Sequence, residues 1–377
     1  MTEGGWGRPP LIVLLLEMFC HGGGAEGQVR MLAQGLEGEG FKVEIWSYKQ
    51  PPSELAPPPV PGVSTRVLPG HGRWPGRLIW SLKRELQAAG TDLLHAWMTS
   101  ANFYGRLAAT LCGDLPLLCA ERTSRKSSRE QMVDRVMSPL VSAMVVNSEG
   151  VRSYLRDDVG LRRVPIHMIP NGVDTSLFRP APENPDYRRH LGIPAESLVI
   201  GTIGRHIPDK RQDWIIRAVA FCKAEGMDVH AIIAGMGSER DKLQEESQRA
   251  GVGDRIHLVG VVRNPEEVLR SYDLFVLPSR REGMPNAARE SMASGVPVVA
   301  TEVAGIHDLL GRDESKPCGQ VVPVHDEDAF REAVKRYLKN GRLRSAAGRR
   351  GSERARVRFS AQAMVASYAA LYRELLH

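Results

Sequence analysis

Residues 279–300 read SRREGMPNAARESMASGVPVVA, and the order of residue types in this stretch decides the architecture around it. An apolar run at 274–277 precedes it and another at 298–301 closes it. Gly283-Met284-Pro285-Asn286 suits the end of a loop and the opening of a helix, and Gly295-Val296-Pro297 suits the exit from one. The reading is strand, loop, helix, strand. Glu282 falls on the loop and Glu290 within the helix, with seven residues between them. A helix N-terminus presents unpaired amides and the positive end of a dipole, which together hold a phosphate. Carboxylates beside such an anion site must point elsewhere, because facing a phosphate costs repulsion. Sugar hydroxyls fit them, since a carboxylate accepts charge-assisted hydrogen bonds from a vicinal diol. A ribose, a diphosphate and a hexose together make a nucleotide sugar.

Outward from this stretch the chain alternates strand and helix. In the second half, strands are predicted at 198–203, 229–234 and 256–259, with helices at 211–225 and 239–250. In the first half, strands are predicted at 11–16, 41–46, 92–95, 115–120 and 143–147, with helices at 25–39, 76–89, 100–111 and 149–156. A proline-rich loop covers 51–61. Such alternation means parallel sheets with helices on both faces. Turn formers and prolines predict a linker near 172–188. The expected fold is therefore α/β, with two doubly wound, Rossmann-like domains facing across a cleft, the default ligand site. Residues 1–175 form the first domain and 176–358 the second, followed by a terminal helix at 359–377. The basic run 342–358 lacks an apolar stripe and reads as a solvated face, whereas Met364, Tyr368, Leu371, Tyr372 and Leu375 recur at helical spacing.

The chain has 377 residues, 42% hydrophobic and 25% charged, as ordinary soluble domains do, and a net charge of +6. That charge favours anionic partners, a nucleotide sugar or an anionic membrane face. Nucleic acid is not indicated, because finger spacing, an aromatic RNA-binding run and an unstructured arginine-rich tail are all missing from the sequence. Cys20, Cys112, Cys119, Cys222 and Cys318 are scattered and form no C-x-x-C pair, which fits a reducing cytoplasm. Residues 11–16 are too few for a membrane span and poor as a signal peptide, so they read as a first buried strand.

The segment around Glu282 and Glu290, with Pro278-Ser279 before it and Ser291-Met292-Ala293-Ser294-Gly295-Val296-Pro297 after it, resembles the E-x7-E motif of retaining glycosyltransferases of the GT-B fold, family 4 in particular. The likeness extends over nearly the whole chain and is strongest from about 201 to 305. Gly204-Arg205 and Lys210, in GRHIPDK, follow a strand at the mouth of the second domain. Two cations so placed converge on one diphosphate and neutralise charge developing on a leaving nucleotide. The resemblance implies that Glu290 binds the ribose and Glu282 the donor hexose. Arg205, Lys210 and the amides of Gly283, Met284 and Asn286 would hold the diphosphate; Pro285 has no amide proton to give.

Other blocks are similar to the family's. His21-Gly22-Gly23-Gly24-Ala25-Glu26 resembles its G-G-x-E loop, which implies that Gly23 and Gly24 lie near the donor phosphate and the acceptor. A dinucleotide turn is the alternative, but no acid ends the second strand as that reading requires. Gly235-Met236-Gly237-Ser238-Glu239 resembles the G-x-G-x-E block, implying a donor contact at Gly237, and Val261 and Arg263 fall where the family grips the base. His95 matches the first histidine of an H-x-H pair near the donor sugar, with Trp97 in place of the second. Arg122, past another strand, is a candidate contact for an acidic acceptor or the phosphate. Suitable D-x-D loops are missing, so neither metal nor other cofactor is expected. The implied activity is retaining transfer of a sugar to a glycan or lipid-linked acceptor in cell-surface polysaccharide assembly, by a cytoplasmic enzyme peripheral at the inner membrane face. A nucleotide-sugar-binding protein without transfer activity, and an epimerase of the same fold, are the alternatives.

Overall fold

Strands buried on both sides need apolar residues at every position, and the chain supplies them. The computed structural model describes residues 6–21, 24–68, 75–181, 185–311 and 316–377. They divide into two units, one of Met1–Gly172 with Ala361–His377 and one of Val173–Ser360. The first holds β1 (Leu11–Met18), β2 (Lys42–Lys49), β3 (Ser64–Val67), β4 (Leu93–Trp97), β5 (Leu117–Glu121), β6 (Ala143–Val146) and β7 (Ile166–Met168). They form one sheet in the order β3-β2-β1-β4-β5-β6-β7, parallel throughout. Period-two alternation sorts β1 between two cores. Val13 and Leu15 pack with Leu78, Leu82 and Ala108. Ile12 and Leu14 pack with Val29, Leu32, Tyr368 and Tyr372. The terminal helix Ala361–Leu376 thereby covers one face beside the helix Gly24–Gly38.

The second unit holds β8 (Leu198–Ile203), β9 (Val229–Ala234), β10 (Ile256–Gly260), β11 (Leu274–Leu277), β12 (Val298–Thr301) and β13 (Gly319–Val322). Their order is β10-β9-β8-β11-β12-β13, again all parallel. The direction of winding reverses between β8 and β11, and open sheets of this kind bind ligands outside the carboxyl ends at that reversal. The loop after β8 carries Gly204-Arg205, and the loop after β11 carries Glu282.

Several elements fall outside the expectations. The helix Pro185–His190 occupies part of the expected linker, and Arg188 is buried, donating to Ser271 O at 2.9 Å and pairing with Asp273 at 3.0 Å. The unit boundary lies at 172/173 because Val173 pairs with Ser360 as a bridge and donates to Phe359 O at 2.7 Å. The helix Gly341–Arg358 does bury a face, made only of Ala347, Gly348, Gly351 and Ala355. A Cβ on Gly348 would meet Gly295 O at 2.0 Å, so glycine lets this helix press on the 295 turn. All five cysteines are free thiols. Among the described residues no helix is long and apolar enough to cross a membrane.

Candidate active site

Two loops meet at the carboxyl ends of β8 and β11. After β11, Ser279 is fully buried, and its carbonyl, with that of Leu277 at 3.1 Å, accepts the Thr301 hydroxyl. That bond ties the loop to the end of β12. Ser279 Oγ donates to Glu282 Oε1 at 2.8 Å, and the Lys210 ammonium contacts the same oxygen. Arg280 N donates to Asp209 O at 2.7 Å, so the loops are joined by backbone as well as by charge. Lys210 ends a short turn, Pro208–Lys210, and Arg211 then takes a left-handed φ of 44°. Its guanidinium lies over Trp214, 4.6 Å from the ring centroid, and bonds Val324 O. A non-glycine residue in this region is strained and must be held by its surroundings.

The helix Asn286–Ala293 starts from Pro285, which supplies no side-chain cap. Met284 is buried in the core and anchors the loop just before the helix. Glu290 is half-buried, and its carboxylate has no protein hydrogen-bond partner among the described residues. Burial raises its pKa above the ordinary value; Arg289 opposes the shift and Glu266 adds to it. Arg205 is exposed, and its guanidinium also lacks a protein partner among the described residues.

The glycines of 235–237 have a mechanical task. Gly235 has φ 135°, and a Cβ there would lie 1.9 Å from Gly204 O; one on Gly237 would lie 2.2 Å from His206 O. Only glycine lets this loop pack directly onto the backbone of 204–206. Gly235 N donates to Gly260 O at 2.6 Å, which links the ends of β9 and β10. There Met236 and Val261 are 58% and 69% exposed, an apolar rim on adjacent strand ends, with Arg263 exposed beyond it.

The first-unit candidates are placed otherwise. His95 is fully buried, its Nδ1 2.6 Å from Tyr372 Oη and its ring against Trp97 and Tyr368. Burial first, then Arg122, holds its pKa well below the ordinary histidine value, so the ring is neutral. The side chain is enclosed by Trp97, Tyr368 and Tyr372. Arg122 is likewise turned inward. It stacks on Trp97 at 4.5 Å, bonds Asn171 through one terminal nitrogen, and donates from the other to Tyr368 Oη at 2.6 Å, so both terminal nitrogens are engaged by the protein. Gly24 opens the helix Gly24–Gly38, while Gly23 lies outside the described residues.

The family model described as "Glycosyltransferase Family 4" matches residues 22–177, and that described as "Glycosyl transferases group 1" matches 197–340. A D-inositol 3-phosphate glycosyltransferase of Thermobispora bispora is 31% identical over 325 residues, covering 82% of this chain and 71% of its own length. The chain belongs to glycosyltransferase family 4. A lipopolysaccharide core biosynthesis mannosyltransferase, LpsB of Rhizobium meliloti, is 28% identical over 259 residues, 67% of this chain and 72% of that one. The crystal structure of Anabaena HepE in complex with UDP and glucose superposes with a TM-score of 0.82 at 20% identity, covering 97% of this chain and all (100%) of that one.

In this family 4 glycosyltransferase, sequence reasoning missed His206. It is fully buried beside Arg205, and neither ring nitrogen has a partner among the described residues. Burial and then Arg240 lower its pKa, which keeps it neutral. Its position inside GRHIPDK, between the two cations, was the available signal.

Proposed function

We propose that the enzyme transfers a hexosyl group from a nucleotide-sugar donor to a glycan or lipid-linked acceptor, with retention at the anomeric carbon. The observation that carries this reading is the meeting of Lys210 and Glu282 across two loops at the winding reversal of the second sheet. A carboxylate already accepting from a hydroxyl and an ammonium is oriented, and its remaining lone pairs suit sugar hydroxyls. The unpartnered Arg205 and the N-terminal end of the helix Asn286–Ala293 suit a diphosphate. Glu290, half-buried and unpartnered, suits the ribose diol. Lys210 then serves Glu282 and the diphosphate together.

In the reaction the bond between the anomeric carbon and the phosphate oxygen breaks. The acceptor oxygen bonds to the same face of the sugar, and its proton passes to the departing phosphate. Arg205 and Lys210 offset the charge that gathers on the leaving group, the role that preorganised donors fill best. They make a divalent metal unnecessary in this reading. The names of the LpsB relative and of an Escherichia coli galactosyltransferase acting on a diphosphoundecaprenol-linked sugar support surface-glycan assembly; the proposed reaction would take place in the cytoplasm, peripheral at the inner membrane face. The test is turnover of uridine, guanosine and adenosine diphosphate sugars with and without acceptor glycolipids. Arg205→Ala serves as control, and the new linkage is assigned by NMR. Product of unchanged anomeric configuration is expected. Donor conversion without acceptor, or an inverted linkage, would sink the reading.

A further inference from the structure

The strand β4 runs straight into a helix. It ends at Trp97, and the helix Met98–Leu111 begins at the next residue. With no connecting residue, the whole change of direction falls on one backbone position. Met98 takes it, at a left-handed φ of 73°. Both sides of the junction are fixed. Trp97 is fully buried, and so are Ala101 and Asn102, the latter donating to Ala120 O at 3.0 Å. Glycine adopts such a φ without steric cost, whereas methionine must be held there by its surroundings. Sharp strand-to-helix turns thrust their side chain out above the end of the sheet. Met98 is accordingly 36% exposed, although its neighbours are buried. Among the described residues Arg211 is the other non-glycine residue with a left-handed φ, and it adjoins Lys210.

Topology points to the same place. The first sheet reverses its winding between β1 and β4, and open sheets bind ligands outside the carboxyl ends at such a reversal. Leu15 lies opposite Ala96 in the β1–β4 pairing, so Met98, two residues on, comes level with Glu17. Glu17 pairs with Lys49 at the end of β2, and both side chains are 42% exposed. Tyr48 Oη donates to Ser100 Oγ at 2.7 Å, which ties the end of β2 to the first turn of the helix. We propose that Met98 is a specificity-determining residue for the acceptor, its thioether packing on the C–H face of a neutral pyranose whose hydroxyls meet Glu17 and Lys49. An apolar surface beside a carboxylate and an ammonium suits a ring with one apolar face and a polar rim. The two charges offset each other, so the place offers a phosphate no net attraction. The proposal rests on the transferase reading and narrows its acceptor to one that ends in an uncharged sugar.

The test joins binding to turnover. The full chain, with isotope-labelled methionine methyl groups, is titrated by NMR with methyl glycosides of glucose, galactose, mannose and N-acetylglucosamine, and separately with inorganic phosphate. The Met98 signal is assigned by its loss in Met98→Leu. It shifts with at least one glycoside and not with phosphate. With that glycoside as acceptor, Met98→Gly raises the acceptor KM about tenfold, the scale for losing one buried apolar contact. The donor KM is unchanged, and the melting temperature does not fall, because glycine accepts the φ freely. Met98→Leu stays within about threefold of the native acceptor KM. A merely structural role would move the melting temperature and both KM values together. No shift with any glycoside, a shift with phosphate alone, or an acceptor KM that Met98→Gly leaves alone overturns the proposal. A glycoside shift without turnover of any nucleotide sugar instead overturns the transferase reading and leaves a sugar site at Met98.

Discussion

The Lys210 ammonium rests on Oε1 of Glu282, 72 positions along the chain, the same oxygen that accepts the Ser279 hydroxyl at 2.8 Å. The pair joins the loop after β8 to the loop after β11, so each loop sets the other's charge geometry.

Lys210→Ala should therefore lower turnover by about 100- to 1000-fold, the scale for loss of one preorganised charge donor. The stability change should stay within about 1 kcal/mol, because both side chains retain solvent access, 21% for Lys210 and 14% for Glu282. Steady-state kinetics beside thermal melting separates the effects; a large fall in melting temperature would make the pair structural.

Gly235→Ala should damage stability and activity together. The new Cβ would sit 1.9 Å from Gly204 O on a backbone at φ 135°, so the 204–206 loop must shift. A cost of about 1–3 kcal/mol is expected from strain of this kind. Denaturant unfolding measures it, and a rise in donor KM would register the displaced Arg205.

Glu290 links pH to both stability and binding. Burial raises its pKa above the ordinary 4.5, so the folded state holds the proton more tightly than the unfolded chain. Its contribution to stability is therefore fully present below 4.5 and is lost as pH rises through the raised value. Glu290→Gln should raise the melting temperature at neutral pH while weakening donor binding by about tenfold, since a charge-assisted hydrogen bond is lost. Calorimetric titration with donor at neutral pH, and melting curves from pH 4 to 8, check both signs.

Asp134→Ala should be among the most harmful changes in the first unit. It leaves Arg106 and Lys126 buried without their shared carboxylate, at a cost of about 3–5 kcal/mol. Equilibrium unfolding reads this directly, and an unchanged midpoint would mean that the network is weak.

If Arg205, Lys210 and helix amides carry the diphosphate, chelation should leave the rate unchanged. Assay with excess chelator, then with added magnesium, decides this; restoration by the metal would place a divalent ion in the reaction.

Legibility followed burial. β1, β8, β9 and β11 were readable because interior parallel strands are continuous apolar runs. The edge strands β3, β7 and β13 were not, being short and covered on fewer sides; all of β3 is exposed. The helix Ser128–Met137 escaped notice because its buried residue is Asp134, which hydrophobic periodicity cannot register. Gly341–Arg358 looked solvated because its contact face is glycine and alanine.

By itself the sequence determined the strand–helix alternation and the positions of Arg205, Lys210, Glu282 and Glu290 just beyond strand ends or within one helix, because hydrophobic period and turn chemistry are local properties. Where each side chain points was decided by the tertiary structure. His95 and Arg122 end up inside because Tyr372 and Tyr368, 277 and 246 positions away, cover them and take their hydrogen bonds. Lys210 finds Glu282 only once parallel pairing sets β8 beside β11. A pattern in the chain specifies the strand that carries a residue; its partner is set by packing between segments far apart in sequence.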